Sequence, residues 1–486
     1  MISLARNILL VPLYLQKIPL AEYGAWLATG GALALMLIND YGLSGVVTQR
    51  MSASFGAKDF DALGRLTGSA LAIGSLLSIG LVCISLLMVP FLPGLRSLSA
   101  LQSHTVTMCF MLAVAANGLG VIGATAASTM RSLQRVVLSG SINLAAEIAN
   151  VGMIVFGLWM GLGLYALAAG LLLRSAIITV AGLVGVWTVC SRSFKIKIAV
   201  QPAAVRDLIG ESSRFFLSAI AMRLQSQANV FFIGWIVGPA SAAIYSLTVR
   251  AYETVLMVIN LINGSLVPSV THLLGSGDIP RFRAVVLRLV EFLAALTALA
   301  MTMTVILNPA FLSLWVGNAA FGGQGLSVLM AAALFVTSIG GVAYDALIAQ
   351  GRFRLVTRFY LVTSVSQVLL LVSLLHLGLS MAPLVTLVTA GIWGFGFWRR
   401  VAADISLTWD EVRGMLGELM RIVAVSVLGA IAFATFYPTA KSWPALAGEA
   451  FLCGLCLAVS YLAISPKLRR ITLEEIGATY RVFRAG

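Results

Sequence analysis

Long apolar runs, separated by short segments rich in arginine and lysine, are the feature that most restricts the fold of this 486-residue chain. A helix needs about 20 apolar residues to cross the hydrocarbon core of a bilayer, and many runs reach that length. Only 10% of the residues are charged, 60% are hydrophobic, and the mean hydropathy is +0.99. Soluble domains carry about 25% charged residues, which cover their cores with a polar surface. The sequence therefore excludes a soluble globule and predicts an integral membrane protein.

The apolar runs predict an all-α polytopic membrane protein with about fourteen transmembrane helices. The first run is short for a complete crossing, so either the first helix is short or the natural start lies upstream of Met1. The predicted spans cover residues 1–20, 23–46, 66–92, 104–128, 138–159, 161–189, 214–238, 240–270, 286–315, 324–349, 358–378, 380–398, 420–438 and 444–464.

Positive charge is concentrated in every second connection between the predicted spans. These connections hold most of the 32 lysines and arginines, whereas the opposite connections hold only Lys17, Arg96 and Lys441. By the positive-inside rule the basic connections are cytoplasmic, and an even number of spans then places both termini in the cytoplasm. The net charge of +14 is thus an orientation signal, with the basic connections facing anionic lipid headgroups. Nucleic acid is not an expected partner.

The two halves of the sequence resemble each other weakly, which predicts a parallel repeat of six helices. The segment Leu133–Arg135, which follows the fourth span, matches Ala349–Arg352 after the tenth, and Tyr23 matches Tyr245. We therefore expect two six-helix lobes followed by two accessory helices. The predicted parts are an N-lobe at 1–190, a cytoplasmic linker at 191–213, a C-lobe at 214–398, a loop with two accessory spans at 399–464 and a cytoplasmic tail at 465–486.

Ionisable side chains inside predicted spans are the strongest candidates for function. A charged group is unfavourable in hydrocarbon, so such a side chain usually faces a water-filled cavity or a partner of opposite charge. Two polar stripes follow helical spacing, and we expect such stripes to line water. One contains Ser139, Asn143, Glu147 and Asn150, and the other contains Arg250, Glu253, Asn260 and Gly264. The in-span ionisable residues are Arg6, Asp40, Glu147, Arg174, Arg223, Arg250, Glu253, Glu291 and Asp345.

Several segments resemble the polysaccharide-transporter branch of the MOP exporter superfamily, which includes the Wzx-type O-antigen and exopolysaccharide flippases. They are VPLYLQKIPLAEYGAWL (11–27), NDYGL (39–43), FGAKDFDALGRL (55–66), SLQRVVLSGSINL (132–144) and GPASAAIYSLTVRA (238–251). The resemblance implies two lobes around a central cavity, as in MATE transporters, and movement of undecaprenyl-diphosphate-linked oligosaccharides between leaflets. It also implies polymerase and chain-length proteins of the same pathway as partners, besides membrane lipids.

A diphosphate and a hydrated sugar chain cannot cross hydrocarbon unaided, so a transporter of a lipid-linked sugar needs cationic and amide side chains inside the membrane. Guanidinium groups bind phosphate through paired, charge-assisted hydrogen bonds, so Arg174, Arg223 and Arg250 are the candidates for the diphosphate. The amides of Asn143, Asn150, Gln227 and Asn260 are candidates for sugar hydroxyls, and Glu147, Glu253 and Asp345 for a coupling proton or ion. In the alternative interpretation each arginine pairs with an acid, such as Arg250 with Glu253, and joins helices. No cofactor or metal is expected.

Other classes of protein fit the sequence less well. No Walker A, H-E-x-x-H or G-x-S-x-G motif occurs in the sequence, which disfavours ATP hydrolysis and the corresponding hydrolases. A cation-coupled drug exporter of the same superfamily would favour an acid-lined cavity. A membrane polymerase or ligase would require a long outside loop, whereas the outside connections here are short. We therefore expect a transporter and not an enzyme.

Overall fold

A computed structural model describes residues 9–36, 43–92, 98–275, 279–436, 440–466 and 469. These residues form α-helices joined by short turns, and no strand occurs among them. The prediction of an all-α membrane protein is confirmed. Arg6 and Asp40, which were predicted to lie within spans, are outside the described residues.

The chain packs as two compact units, residues 1–243 and 244–486. Unit 1 contains α1 (Val11–Lys17), α2 (Leu20–Met36), α3 (Leu43–Gly56), α4 (Phe60–Leu87), α5 (Ala100–Ser132), α6 (Val136–Trp159), α7 (Leu164–Thr188) and α8 (Pro202–Ile236). Helix α9 (Pro239–Gly275) begins at the boundary and continues in unit 2, which also contains α10 (Ile279–Trp315), α11 (Gln324–Ala349), α12 (Phe353–Leu374), α13 (Met381–Asp404), α14 (Trp409–Phe436) and α15 (Trp443–Ile464).

Eleven helices in the described part of the chain are long and apolar enough to cross a membrane, namely α4 to α7 and α9 to α15. The protein is therefore a multi-pass membrane protein. The predicted spans at 1–20, 23–46 and 214–238 are not among these eleven helices, so the number fourteen stays a prediction.

The same pattern of helix packing occurs in both units. In unit 1, α4 packs on α5, α5 on α7, and α6 on α7; in unit 2, α10 packs on α11, α11 on α13, and α12 on α13. The turns Leu133–Arg135 and Gln350–Arg352 also match. In each turn, the backbone N–H of an arginine donates to the backbone carbonyl five residues earlier. Arg135 donates to Met130 at 2.9 Å, and Arg352 donates to Leu347 at 3.0 Å. Four helices and one turn thus have counterparts in both units, and the parallel repeat of six helices stays a prediction.

The connection after α7 differs from the predicted loop at 191–213. Helix α8 already begins at Pro202, because proline is favoured in the first turn of a helix, where its missing N–H has no partner to lose. The segment before it lies across α4, where the Ala199 N–H donates to the Gly64 carbonyl at 3.2 Å and the Gln201 N–H donates to Ser69 Oγ at 3.1 Å. Because α8 also packs on α2, it belongs to unit 1. The predicted lobe boundaries stay a prediction.

Candidate functional site

The polar stripe of α6 lies on one face of the helix, as predicted, but it packs against protein instead of lining open water. Ser139, Glu147 and Asn150 are buried, and only Asn143 is half-buried. The Asn143 amide donates from Nδ2 to the Ser139 carbonyl at 2.8 Å. The close approach of α7 explains the burial, because a side chain at Gly170 would lie 2.6 Å from Asn150 Oδ1. The expectation that this whole stripe lines water was therefore wrong.

An ion pair joins α6 to α7 near the middle of both helices. The Nε of Arg174 lies 2.7 Å from Oε2 of Glu147, which is a charge-assisted hydrogen bond. The Glu147 side chain is 7% exposed and that of Arg174 is 34% exposed. Glu147, predicted as an ion-coupling group, and Arg174, predicted as a phosphate ligand, thus bind each other.

Helix α8 carries the next two candidates. Arg223 is exposed and Gln227, one turn further along, is half-buried. Residues four apart lie on the same face of a helix. Their assignment to substrate stays a prediction.

Helix α9 presents its polar stripe differently. Nη1 of Arg250 lies 3.8 Å from Oε2 of Glu253, one turn away on the same helix. The Glu253 side chain is 49% exposed, that of Arg250 is 23% exposed, and Asn260 is exposed. Among the described residues, the buried Nε of Arg250 has no hydrogen-bond partner. The Arg250 guanidinium therefore has an N–H group that is not bound by Glu253.

Asp345, the third candidate for ion coupling, is half-buried near the end of α11. It follows Tyr344, whose ring centroid lies 5.6 Å from that of Tyr360 and 6.3 Å from that of Phe397. This aromatic cluster was not predicted, since its members come from α11, α12 and α13 and no local pattern links them.

The basic ends of the unit 2 helices hold ion pairs that sequence reasoning missed. Asp404 lies 3.0 Å from Arg400 and 3.5 Å from Arg352, and so connects the end of α13 with the turn before α12. Arg283 of α10 forms an ion pair with Glu411 of α14. The partners of the last pair are far apart in sequence, so only the packing of α14 on α10 identifies them.

The two units therefore each assemble one set of the predicted residues. Unit 1 joins Glu147 with Arg174 beside Asn143 and Asn150, and unit 2 aligns Arg250, Glu253 and Asn260 on one helix. The convergence of all three arginines on one diphosphate stays a prediction.

Comparison with solved structures identifies the fold as that of the MOP-superfamily transporters. The chain is similar to the lipid II flippase MurJ in an inward closed conformation, with a TM-score of 0.69 at 13% identity, covering 97% of each chain. It is also similar to an inward-facing MATE-family multidrug resistance transporter of the MOP superfamily, with a TM-score of 0.65 at 14% identity, covering 83% of this chain and 98% of that one. For the Vibrio cholerae MATE transporter VcmN the TM-score is 0.58 at 17% identity, covering 85% of this chain and 95% of that one.

A sequence comparison identifies the family to which the chain belongs. A model of the polysaccharide biosynthesis protein family matches residues 11–274, more than half of the chain. The chain belongs to this family, which confirms the family resemblance predicted from the sequence. No curated protein matches it by sequence.

Proposed function

We propose that the chain is a flippase that moves undecaprenyl-diphosphate-linked oligosaccharide repeat units from the inner to the outer leaflet of the bacterial inner membrane. The product would serve O-antigen, capsule or exopolysaccharide biosynthesis. Membership of the polysaccharide biosynthesis family and a transporter fold support this proposal. Similarity to a lipid II flippase fits a lipid-linked glycan as the transported class. Two units with the same pattern of helix packing fit transport by alternating access.

The observation that carries the proposal is the state of Arg250. A guanidinium in hydrocarbon is unfavourable unless it faces a cavity or a partner. The acid nearest to Arg250 is 3.8 Å away and half-exposed, and the buried Nε has no partner among the described residues. A diphosphate supplies the oxygens that such a forked donor binds. Asn260, exposed on the same helix, would then meet sugar hydroxyls.

Arg174 is a weaker candidate than Arg250 for binding the diphosphate. Its Nε is already bound to Glu147, so only the remaining part of the guanidinium is available to a phosphate. Arg223 is exposed on α8 and remains a second candidate ligand.

The driving force follows from the charge of the substrate. Moving one negative charge outward is favourable by about 2.3 kcal/mol per 100 mV of membrane potential. Coupling to a proton or sodium ion would instead use a carboxylate. Since Glu147 is held by Arg174, Glu253 and Asp345 are the better candidates for that role.

The experiment is transport by the full chain in vesicles that contain a labelled undecaprenyl-diphosphate oligosaccharide, with leaflet position read by quenching from outside. Arg250→Ala and Arg223→Ala should each lower the rate by about tenfold or more, the loss expected for one buried charged contact. Arg250→Lys should recover only part of the rate, because an ammonium lacks the planar fork. The exposed Arg354, at the start of α12, gives the control Arg354→Ala, which should transport normally.

Two results would contradict the proposal. A wild-type transport rate in the Arg223→Ala, Arg250→Ala double variant would show that these arginines do not form a diphosphate site. Export of organic cations without movement of the lipid-linked glycan would instead favour a drug exporter.

A further inference from the structure

A short strap, residues 194–201, joins the end of α7 to α8 and lies across the first turns of α4. Phe194 is half-buried and Ile196 is buried, so these two side chains anchor the strap in unit 1. A side chain at Gly64 or Gly68 would overlap backbone carbonyl oxygens of the strap. Glycine allows this close approach because it has no Cβ. The strap is therefore a fixed part of the surface of unit 1.

The outer side of the strap carries positive charge. Lys195 and Lys197 are exposed on either side of the buried Ile196, and Arg65, next to Gly64 on α4, is half-buried. Among the described residues, none of these three cationic side chains forms an ion pair or a hydrogen bond. Three positive charges thus lie close together and are not neutralised by the protein.

The acids with described side chains at this end of unit 1 have other roles. Asp59 caps α4, because its Oδ1 accepts from the Ala62 N–H at 2.9 Å. Asp207 lies 3.9 Å from Arg50. Asp61 is exposed in the first turn of α4, where a negative charge interacts favourably with the helix dipole. The cations of the strap are therefore available to an anion from outside the chain.

The strap lies at the depth of lipid headgroups. Tyr165 and Trp187 stand near opposite ends of α7, roughly 33 Å apart along its axis, which matches the roughly 30 Å of the hydrocarbon core. Trp187 is 56% exposed, as is typical of an aromatic residue at a membrane interface. The Arg192 guanidinium lies 5.8 Å from the Trp187 ring centroid, and the strap begins two residues later.

The second half of the strap is apolar and accessible. Ile198 is 41% exposed and Val200 is 60% exposed. A segment that combines exposed apolar side chains with cations binds a membrane interface, where the apolar groups contact acyl chains and the cations contact phosphates. An acidic protein segment would match the lysines and leave the apolar side chains in water. The mixture therefore favours a lipid over an acidic protein.

We propose that the strap binds an anionic glycerophospholipid, with Lys195 and Lys197 contacting its phosphate and Ile198 and Val200 contacting its acyl chains. A lysine ammonium offers three hydrogen-bond donors to phosphate oxygens. Arg65 adds a third charge beside the strap. This proposal does not depend on what the chain transports.

The test measures which lipid the full chain retains. The protein is placed in nanodiscs with equal amounts of phosphatidylglycerol and phosphatidylcholine, and the lipids that remain after gentle solubilisation are measured by mass spectrometry. We expect phosphatidylglycerol to be enriched about tenfold or more, since each lysine near an anionic surface contributes about fivefold. The Lys195→Gln, Lys197→Gln double variant should bring phosphatidylglycerol down towards the level of phosphatidylcholine.

A matched double variant separates the strap from the net charge of the chain. Lys17 and Lys441 are exposed and lie in connections that the sequence predicts on the opposite side of the membrane. Lys17→Gln, Lys441→Gln removes the same two charges and should keep the enrichment. All four lysines are exposed, so both double variants should fold.

Three results would overturn the proposal. Equal retention of both lipids by the wild type would do so without any variant, and would leave an acidic protein segment as the better occupant. Unchanged enrichment in the Lys195→Gln, Lys197→Gln variant would place the lipid elsewhere. An equal loss of enrichment in both double variants would show that net charge, and not the strap, selects the lipid.

Discussion

The two ion pairs inside the membrane, Glu147 with Arg174 in unit 1 and Arg250 with Glu253 in unit 2, look alike in sequence and differ in structure. The first joins two helices at 2.7 Å and its acid is almost fully buried. The second lies within one helix at 3.8 Å and its acid is half-exposed. A tight, buried pair between helices fixes their packing, whereas a loose pair on one helix leaves the arginine able to turn to another anion.

The surroundings of the two pairs strengthen this difference. On α6 the polar neighbours Ser139 and Asn150 are buried against other helices. On α9 the neighbour Asn260 is exposed. We infer that the unit 1 pair stabilises the fold and that the unit 2 pair belongs to the substrate path.

Glu147→Gln should lower the stability of the chain more than any change at the unit 2 pair. The change leaves the Arg174 guanidinium inside the membrane without its counter-charge, and loss of one partner of a buried pair costs about 3 kcal/mol. Thermal or denaturant unfolding of the purified chain in detergent measures this loss. The exchange variant Glu147→Arg, Arg174→Glu should recover part of the stability, and a cycle of single and double variants isolates the pair energy.

An unfolding transition of Glu147→Gln that matches the wild type would show that the pair with Arg174 does not stabilise the fold. It would also return Glu147 to the list of candidate coupling groups, since a carboxylate that does not stabilise the fold has another reason to lie inside the membrane.

The next effect concerns the helix contact that buries the unit 1 stripe. A Cβ at Gly170 would lie 2.6 Å from Asn150 Oδ1 and 2.7 Å from Ile154 Cγ1. Gly170→Val should therefore separate α6 from α7 and destabilise the chain by about 2 kcal/mol. Gly152→Val on α6 is the control, because a Cβ there meets nothing within 4 Å among the described residues. Equal melting of both variants would show that this contact does not hold the pair in place.

The sequence predicted the elements that depend on local pattern. Apolar runs predicted α4 to α7 and α9 to α15, and the turns after α5 and α11, which match in sequence, also match in structure. The pair of Arg250 with Glu253 was included in the alternative interpretation, because residues three apart on a helix are neighbours.

What depends on packing could not be predicted. Glu147 and Arg174 lie on different helices, so they were predicted to have separate roles although they bind each other. Arg283 and Glu411 are still further apart along the chain. The start of α8 was missed because the polar residues after Pro202 resemble a loop, whereas a proline in the first turn begins the helix there.

Glu253→Gln should change stability least, and it tests directly whether the pair of Arg250 differs in role from the pair of Arg174. Because Glu253 is half-exposed and 3.8 Å from Arg250, losing its charge should change the free energy of unfolding by less than about 1 kcal/mol. The glutamine also removes a competitor for the guanidinium, so flipping of a lipid diphosphate driven by membrane potential should continue within about twofold of the wild-type rate. Normal unfolding together with lost transport would instead assign ion coupling to Glu253, and strong destabilisation would show that both pairs serve the fold. Measuring both quantities on the same preparation therefore decides whether the arginine of unit 2 is held for its helix or for an anion that passes it.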